Sequence, residues 1–406
     1  MKGHKALTGT RERNQNPICR KGSSCIKYDG MEKFLGADDA LPMWVADMDF
    51  LTPNYITDAI ITRAEHGVFG YPMREESYFT SLMGWLKRRH QWEVMRDWIT
   101  FCPGVVPAVN MAVLAFTQPG DKIITQPPVY FPFFTAVNDH KRELVYNQLI
   151  LKGGRLCMDF DNLEKLASEG AKMLILSNPH NPGGSVWTRD ELTQMAEICL
   201  KYNVLIISDE IHCDLIYKPF KHTPVASLSH EISMQTITTV APSKTFNLSG
   251  LSTSSVIIEN DSLRRKFTAT LDHLHIGGGN IFGNIASEEA YQHGDQYVDE
   301  LMEYLMQNIE TLEEYVATNL PKIKVIRPES TFLVWLDCRE MGMNDNDLNN
   351  FFLLKAKIGL NPGIMFGPGG EGFMRMNIGC PKATLLQGLG QIKEAFEGKD
   401  FNKTSG

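Results

Sequence analysis

Nothing in this chain approaches the roughly 20 consecutive apolar residues that a membrane-spanning helix needs, so no membrane partner is expected. Basic charge is also in short supply. Lys and Arg number 40 against 48 Asp and Glu, a net charge of −8, and they are scattered, which leaves no stripe for a nucleic-acid backbone. The eight cysteines never form C-x-x-C, and no cysteine–histidine grouping has zinc-site spacing, so reduced thiols and no metal are expected. The opening MKGHKALTGTRERNQNP has charge but no apolar segment behind it, so no secretory leader is expected there and a cytoplasmic protein is. Nucleotide fingerprints are missing too. Gly367, Gly369 and Gly372 match G-x-G-x-x-G, but Pro368 interrupts the loop and a strand follows, so a nicotinamide-dependent dehydrogenase is disfavoured. The glycines at 277–279 lack the phosphate-loop lysine and read as a backbone turn or a close approach to a partner.

What is present is a chain of 406 residues, 43% hydrophobic, long enough for two or three domains and a large core. Residues 1–60 read as an arm with extended segments that contributes to a small domain. Residues 61–295 alternate apolar runs with helical stretches, the pattern of an α/β layer around a mainly parallel sheet covered by helices. Its strands are KIITQ (122–126), KMLILS (172–177), VLIIS (204–208), TITTV (236–240) and SSVII (254–258). Thr188 and Glu191 form a capping box ahead of a helix. Residues 296–406 read as a smaller α+β domain: helices near 296–318, 346–357 and 382–397, and strands near 331–337 and 373–378.

In open parallel sheets a ligand lies beyond the carboxyl ends of the strands. Four such positions are chemically loaded: Asn178–Gly184 after KMLILS, Asp209–His212 after VLIIS, Ala241–Lys244 after TITTV, and Gly104 before the apolar helix 105–117. Lys244 follows a buried strand and Pro242, where an ammonium is disfavoured and a neutral amine can condense with an aldehyde as a Schiff base; taken alone, a lysine at a strand end is usually a surface residue. Asp209 ends a run too apolar for a stray carboxylate and needs a cationic partner, either the protonated pyridine of pyridoxal phosphate (PLP) or an ordinary buried ion pair. Asn181 could donate to the ring hydroxylate or simply shape its turn. Gly104, Val105 and Val106 open a helix whose free N–H groups suit a phosphate, and Ser243 adds a hydroxyl or serves as a turn residue. Tyr130 could lie over an aromatic cofactor or belong to the core. Arg375, in the otherwise apolar strand FMRMNI, wants a carboxylate, from a substrate or from a structural salt bridge.

Taken together, NPHNPGG, DEIHCDLIY and APSKTFNLSG resemble the class I/II aminotransferase superfamily of PLP enzymes (PLP transferase fold type I). PMWVADMDF (42–50), FGYP (69–72), Trp187 and KHTPVASL (221–228) resemble its cystathionine β-lyases of the MalY/PatB type, from about residue 24 onward. The resemblance implies that Lys244 is the Schiff-base lysine and proton shuttle, Asp209 the partner of the ring nitrogen, Asn181 of the ring hydroxyl, and Tyr130 the stacking ring. It implies that Arg375, with Asn181 and Tyr130, meets the substrate, and that His212 stands where many aminotransferases carry a tyrosine at the ring oxygen. A homodimer is implied, with the active site at the interface and Tyr71 reaching the neighbouring subunit's phosphate. Ser252 and Ala241 depart from the aspartate aminotransferases' phosphate site. The implied activity is α,β-elimination from cystathionine, cysteine or related S-substituted cysteines; an aminotransferase or a regulatory protein on the same fold is the alternative.

Overall fold

A computed structural model describes residues 17–398; the first 16 residues of the expected arm lie outside the described residues. The chain divides into two compact units. The larger comprises Thr52–Gln296 with the short return Glu329–Thr331.

Its centre is a seven-stranded sheet. In chain order the strands are β1 (Ile99–Cys102), β2 (Lys122–Thr125), β3 (Glu143–Tyr146), β4 (Met173–Ser177), β5 (Leu205–Asp209), β6 (Thr236–Val240) and β7 (Ser254–Ile257), arranged β1-β7-β6-β5-β4-β2-β3. β3, β2, β4, β5 and β6 are parallel to one another, whereas β7 runs antiparallel to both β6 and β1. The carboxyl ends of β1, β4, β5 and β6 therefore share one edge. Successive strand side chains go to opposite faces. Ile123, Met173, Ile175 and Ile207 join one core cluster, with the helix Val105–Phe116, while Ile124, Leu174, Leu176 and Ile206 join another, with the helix Arg189–Lys201. Burial on both faces is what makes these strands continuous apolar runs.

The helices of this unit that matter below are α1 (Asn54–Glu65), α2 (Glu76–His90), α3 (Val105–Phe116), α4 (Arg189–Lys201) and α5 (Ile281–His293). α1 begins where the sequence suggests an extended arm to residue 60. Pro53 sits at its N-cap, and Ile56, with apolar neighbours at helical spacing, turns inward and is fully buried. α4 starts on the expected capping box: Thr188 Oγ1 accepts from the Glu191 N–H, and Glu191 reaches back to the Thr188 N–H.

The smaller unit is built from residues up to Leu51, Tyr297–Pro328 and Phe332 onward. A four-stranded antiparallel sheet orders β8 (Lys324–Ile326), β9 (Leu333–Asp337), β11 (Phe373–Asn377) and β10 (Asn361–Pro362), beside the helices α6 (Asp295–Asn319) and α7 (Lys382–Phe396). The stretch expected as a helix at 346–357 is α-helical over Asp345–Asn350 and continues as a π-helical turn, Phe351–Lys355. PMWVADMDF is laced to the end of β11 through Asn377, whose side chain donates to the carbonyls of Val45 and Asp47. Lys27, fully buried, closes the arrangement with an ion pair to Asp49 at 2.7 Å.

Candidate active site

The shared edge of the large sheet carries the loaded segments. β5 ends on Asp209, which is 5% exposed and accepts the Ile211 N–H at 3.1 Å. Burial pushes its carboxyl up to about 7; the Ile211 N–H and the Lys244 charge pull it down, and Glu210 pushes it up. Lys244 is thus within electrostatic reach of Asp209. The next residue, Glu210, faces the other way and is saturated: Ser208 Oγ donates at 2.8 Å, the Val225 N–H at 3.0 Å, and the His222 ring lies at 2.8 Å.

Beyond β4, the Asn181 loop is fixed by its own backbone chemistry. Ser177 Oγ accepts the Asn181 N–H at 3.1 Å, and Trp187 Nε1 donates to the Ser177 carbonyl at 2.8 Å. Buried His180 accepts the Gly183 N–H at Nδ1, and burial lowers its pKa to about 3, so it stays neutral. A Cβ at Gly183 would lie 2.5 Å from the end of the Leu156 side chain, which would have to shift. Beyond β6, residues 242–248 form a helical turn, with Phe246 N–H donating to Pro242 O and Leu248 N–H to Ser243 O, both at 2.9 Å. Ser243 is buried at 8% exposure and Lys244 is half-buried.

Past β1, Gly104 takes φ +122°, a conformation open to glycine, and α3 begins on Val105 with no side chain capping its first turn. The N–H groups of Val105 and Val106 face an edge that already holds an amine and an acid. Tyr130 packs against Phe133 at 5.9 Å between ring centroids, and His212 is buried at 3% exposure. An aldehyde-bearing, positively polarised ring with a phosphate fits this donor set: amine, buried acid held near neutrality, amide loop and open helix N-terminus.

Two expected residues remain. Tyr71 is fully exposed and lines a hollow of about 430 Å³ with Arg63, His66, Arg74 and Asn284; none of the preceding residues is on its rim. Arg375 lies in the smaller unit, 3% exposed on β11, paired in register with Asn361. Its guanidinium donates to Asn361 Oδ1 at 2.7 Å and to the Trp44 carbonyl at 3.0 Å, with Phe366 4.9 Å from its centre.

Sequence reasoning missed a hub behind Lys244. Asp214 Oδ1 accepts from Trp85 Nε1 at 2.9 Å and lies 2.7 Å from His90 Nε2, while its Oδ2 accepts from Thr245 Oγ1 at 2.9 Å. The DEIHCD run was the available signal, since Asp214 lies two residues past His212 in a stretch otherwise buried. Among the described residues no helix is long and apolar enough to cross a membrane.

The family model described as Aminotransferase class I and II matches residues 41–392. Cystathionine β-lyase PatB of Bacillus subtilis is 45% identical over 378 residues, covering 93% of this chain and 98% of PatB. The solved structure of cystalysin from Treponema denticola, which contains pyridoxal 5′-phosphate, superimposes with a TM-score of 0.92 at 35% identity, over 95% of this chain and 98% of cystalysin. The PLP-bound C–S lyase of Staphylococcus hominis gives 0.88 at 31% identity, over 94% and 97%. The match spans most of both units, and the chain belongs to the aminotransferase class I and II family, on the branch that includes PatB.

Proposed function

We propose that this chain is a PLP-dependent carbon–sulfur β-lyase that cleaves L-cystathionine, or cysteine and related S-substituted cysteines, to a thiol, pyruvate and ammonia. The observation that carries the reading is Asp209, a buried carboxyl at a strand end, held near neutrality and electrostatically coupled to Lys244. Identity to PatB over nearly the whole chain supports the lyase chemistry.

When bound, PLP supplies an aldehyde that captures amines covalently and a ring that withdraws electrons from a carbanion. Lys244 would hold it through Nζ, and its amine would be the base that takes the substrate Cα proton. Asp209 would keep a proton on the ring nitrogen, Asn181 would donate to the ring hydroxylate, and His212 would face the ring oxygen. The N–H groups of Val105 and Val106 at the Gly104 turn, with the Ser243 hydroxyl, hold the phosphate. Tyr130 gives the ring an aromatic face. Arg375 takes the substrate carboxylate, its fork oriented by Asn361 and the Trp44 carbonyl. Tyr71 serves the phosphate of a second copy, which makes the working form a homodimer. A cytoplasmic location belongs to the same proposal, in keeping with eight cysteines carried as free thiols.

Purified protein incubated with cystathionine should release thiol and pyruvate in equal amounts, and borohydride should fix the cofactor on the Lys244 peptide. Amino transfer to a keto acid without thiol release would identify an aminotransferase instead.

A further inference from the structure

The polar cluster behind Lys244 brings together three stretches of chain. Trp85 and His90 come from the end of α2, Asp214 from the segment after β5, and Thr245 from the turn after β6. Asp214 and Thr245 are buried, with Thr245 wholly inaccessible, and the His90 and Asp214 side chains are 5% and 3% exposed. Burial alone would raise the Asp214 carboxyl, but His90, Thr245 and Trp85 more than offset it and hold the group below its ordinary range, as an anion. Cys213 lies in the same cluster, with His90, Cys213 and Asp214 offering ligand atoms within 4.8 Å of one another. A metal is nevertheless the poorer reading. Both Asp214 oxygens already face hydrogen-bonding groups, and burial pushes the Cys213 thiol far above its ordinary value, so a thiolate is strongly disfavoured.

The cluster reaches the reactive lysine through one covalent step. In the helical turn 242–248 successive side chains diverge by about 100°, so Thr245 goes back into the protein body while Lys244 is left on the half-buried side. A lysine has four rotatable methylenes, and fixing the rotation of its turn fixes the direction in which they leave the backbone. The Thr245 hydroxyl does this, because its 2.9 Å bond to Asp214 is a hydrogen bond to an anion, stronger and more directional than one to a carbonyl. Asp214 is in turn immobilised by the two rings of α2.

We infer that Asp214 is a positioning residue for the Lys244 amine, acting through the Thr245 hydroxyl and itself held by His90 and Trp85. The inference rests on the assignment of Lys244 as the cofactor-bearing residue. Thr245→Val removes the hydroxyl at constant shape, Thr245→Ser restores it, and Thr236→Val is the matched control. Thr236 is an equally buried hydroxyl on β6, bonded to the Ile232 carbonyl at 2.7 Å and away from the loaded strand ends. In the loaded enzyme, Thr245→Val should lower kcat about tenfold at unchanged KM, the size of effect a misplaced reactive group produces. It should also lose several-fold more borohydride-fixable cofactor from the Lys244 peptide during dialysis. Thr245→Ser should recover both properties, and Thr236→Val should lower the melting temperature while leaving both near the parent values. Parent-like retention and kcat in Thr245→Val, failure of Thr245→Ser, or equal losses in Thr236→Val would overturn the inference. A parent enzyme with no cofactor fixed at Lys244 would remove the functional reading first.

Discussion

Asp209 is costly to the protein that houses it. Its folded carboxyl titrates at about 7 against an ordinary value of 3.8, so between those values the folded chain binds a proton that the unfolded chain does not. Stability on this account is highest below about pH 4, falls as pH rises through that window, and is fully lost above 7, on the order of 4 kcal/mol in all. A protonated ring nitrogen beside the carboxylate reverses the cost. In cofactor-free protein, Asp209→Asn should therefore raise the melting temperature at pH 8 and much less at pH 5, while abolishing turnover. Calorimetry at the two pH values checks the sign, and a larger gain at pH 5 would contradict it. The positions of Lys244, Asp209 and Asn181 at strand ends were legible in the sequence, because each follows an apolar run that leaves little room for a chance polar residue. Asp214, His90 and Thr245 were not. Their pairing spans 124 and 31 residues of chain, and nothing in a linear sequence marks which buried acid meets which imidazole.

At the scale of elements, continuous apolar runs were what could be read. β2, β4, β5, β6 and β7 were legible as continuous apolar runs, whereas β1 and β3, the two edges of the sheet, were not. β3 reads Glu-Leu-Val-Tyr with its ends exposed and its middle half-buried, as an edge strand with one covered side should. The reversal of β7 left no trace because strand direction does not alter composition. The α4 capping box was legible since both partners are local. Its Glu191 does more than cap: it also pairs with Arg155 at 2.7 and 2.9 Å, and Arg155 reaches Glu329 on the chain's return to the large unit. Thr188→Ala should thus cost about 1 kcal/mol, the loss of one cap. Glu191→Ala should cost more, about 2 kcal/mol, because it also removes both bonds to Arg155 and leaves that guanidinium with Glu329 and the Val186 carbonyl. Urea denaturation of the two variants tests the order, and equal losses would mean that the Arg155 pair contributes nothing.

For the whole molecule, the apolar surface around Tyr71 bears on assembly. Ile61, Val68, Phe69, Tyr71 and Met73 are all more than half exposed within a 13-residue span, an arrangement that soluble monomers seldom leave uncovered. A second copy would bury them and deliver Tyr71 to the other chain's phosphate site. This has an arithmetic consequence. Tyr71→Ala should weaken cofactor binding ten- to a hundredfold, the worth of a hydrogen bond to a charged group, and Lys244→Ala should be inactive. Mixed and allowed to exchange subunits, the two variants form hybrid dimers in half of the molecules. In each hybrid one site carries both defects, while the other combines an intact Lys244 from one chain with an intact Tyr71 from its partner. Activity at limiting cofactor should then recover to about a quarter of the parent value, from two nearly silent preparations. Recovery requires that the tyrosine cross between chains; if mixing restores nothing although hybrids form by native mass spectrometry, Tyr71 acts within its own chain and the shared-site dimer is wrong.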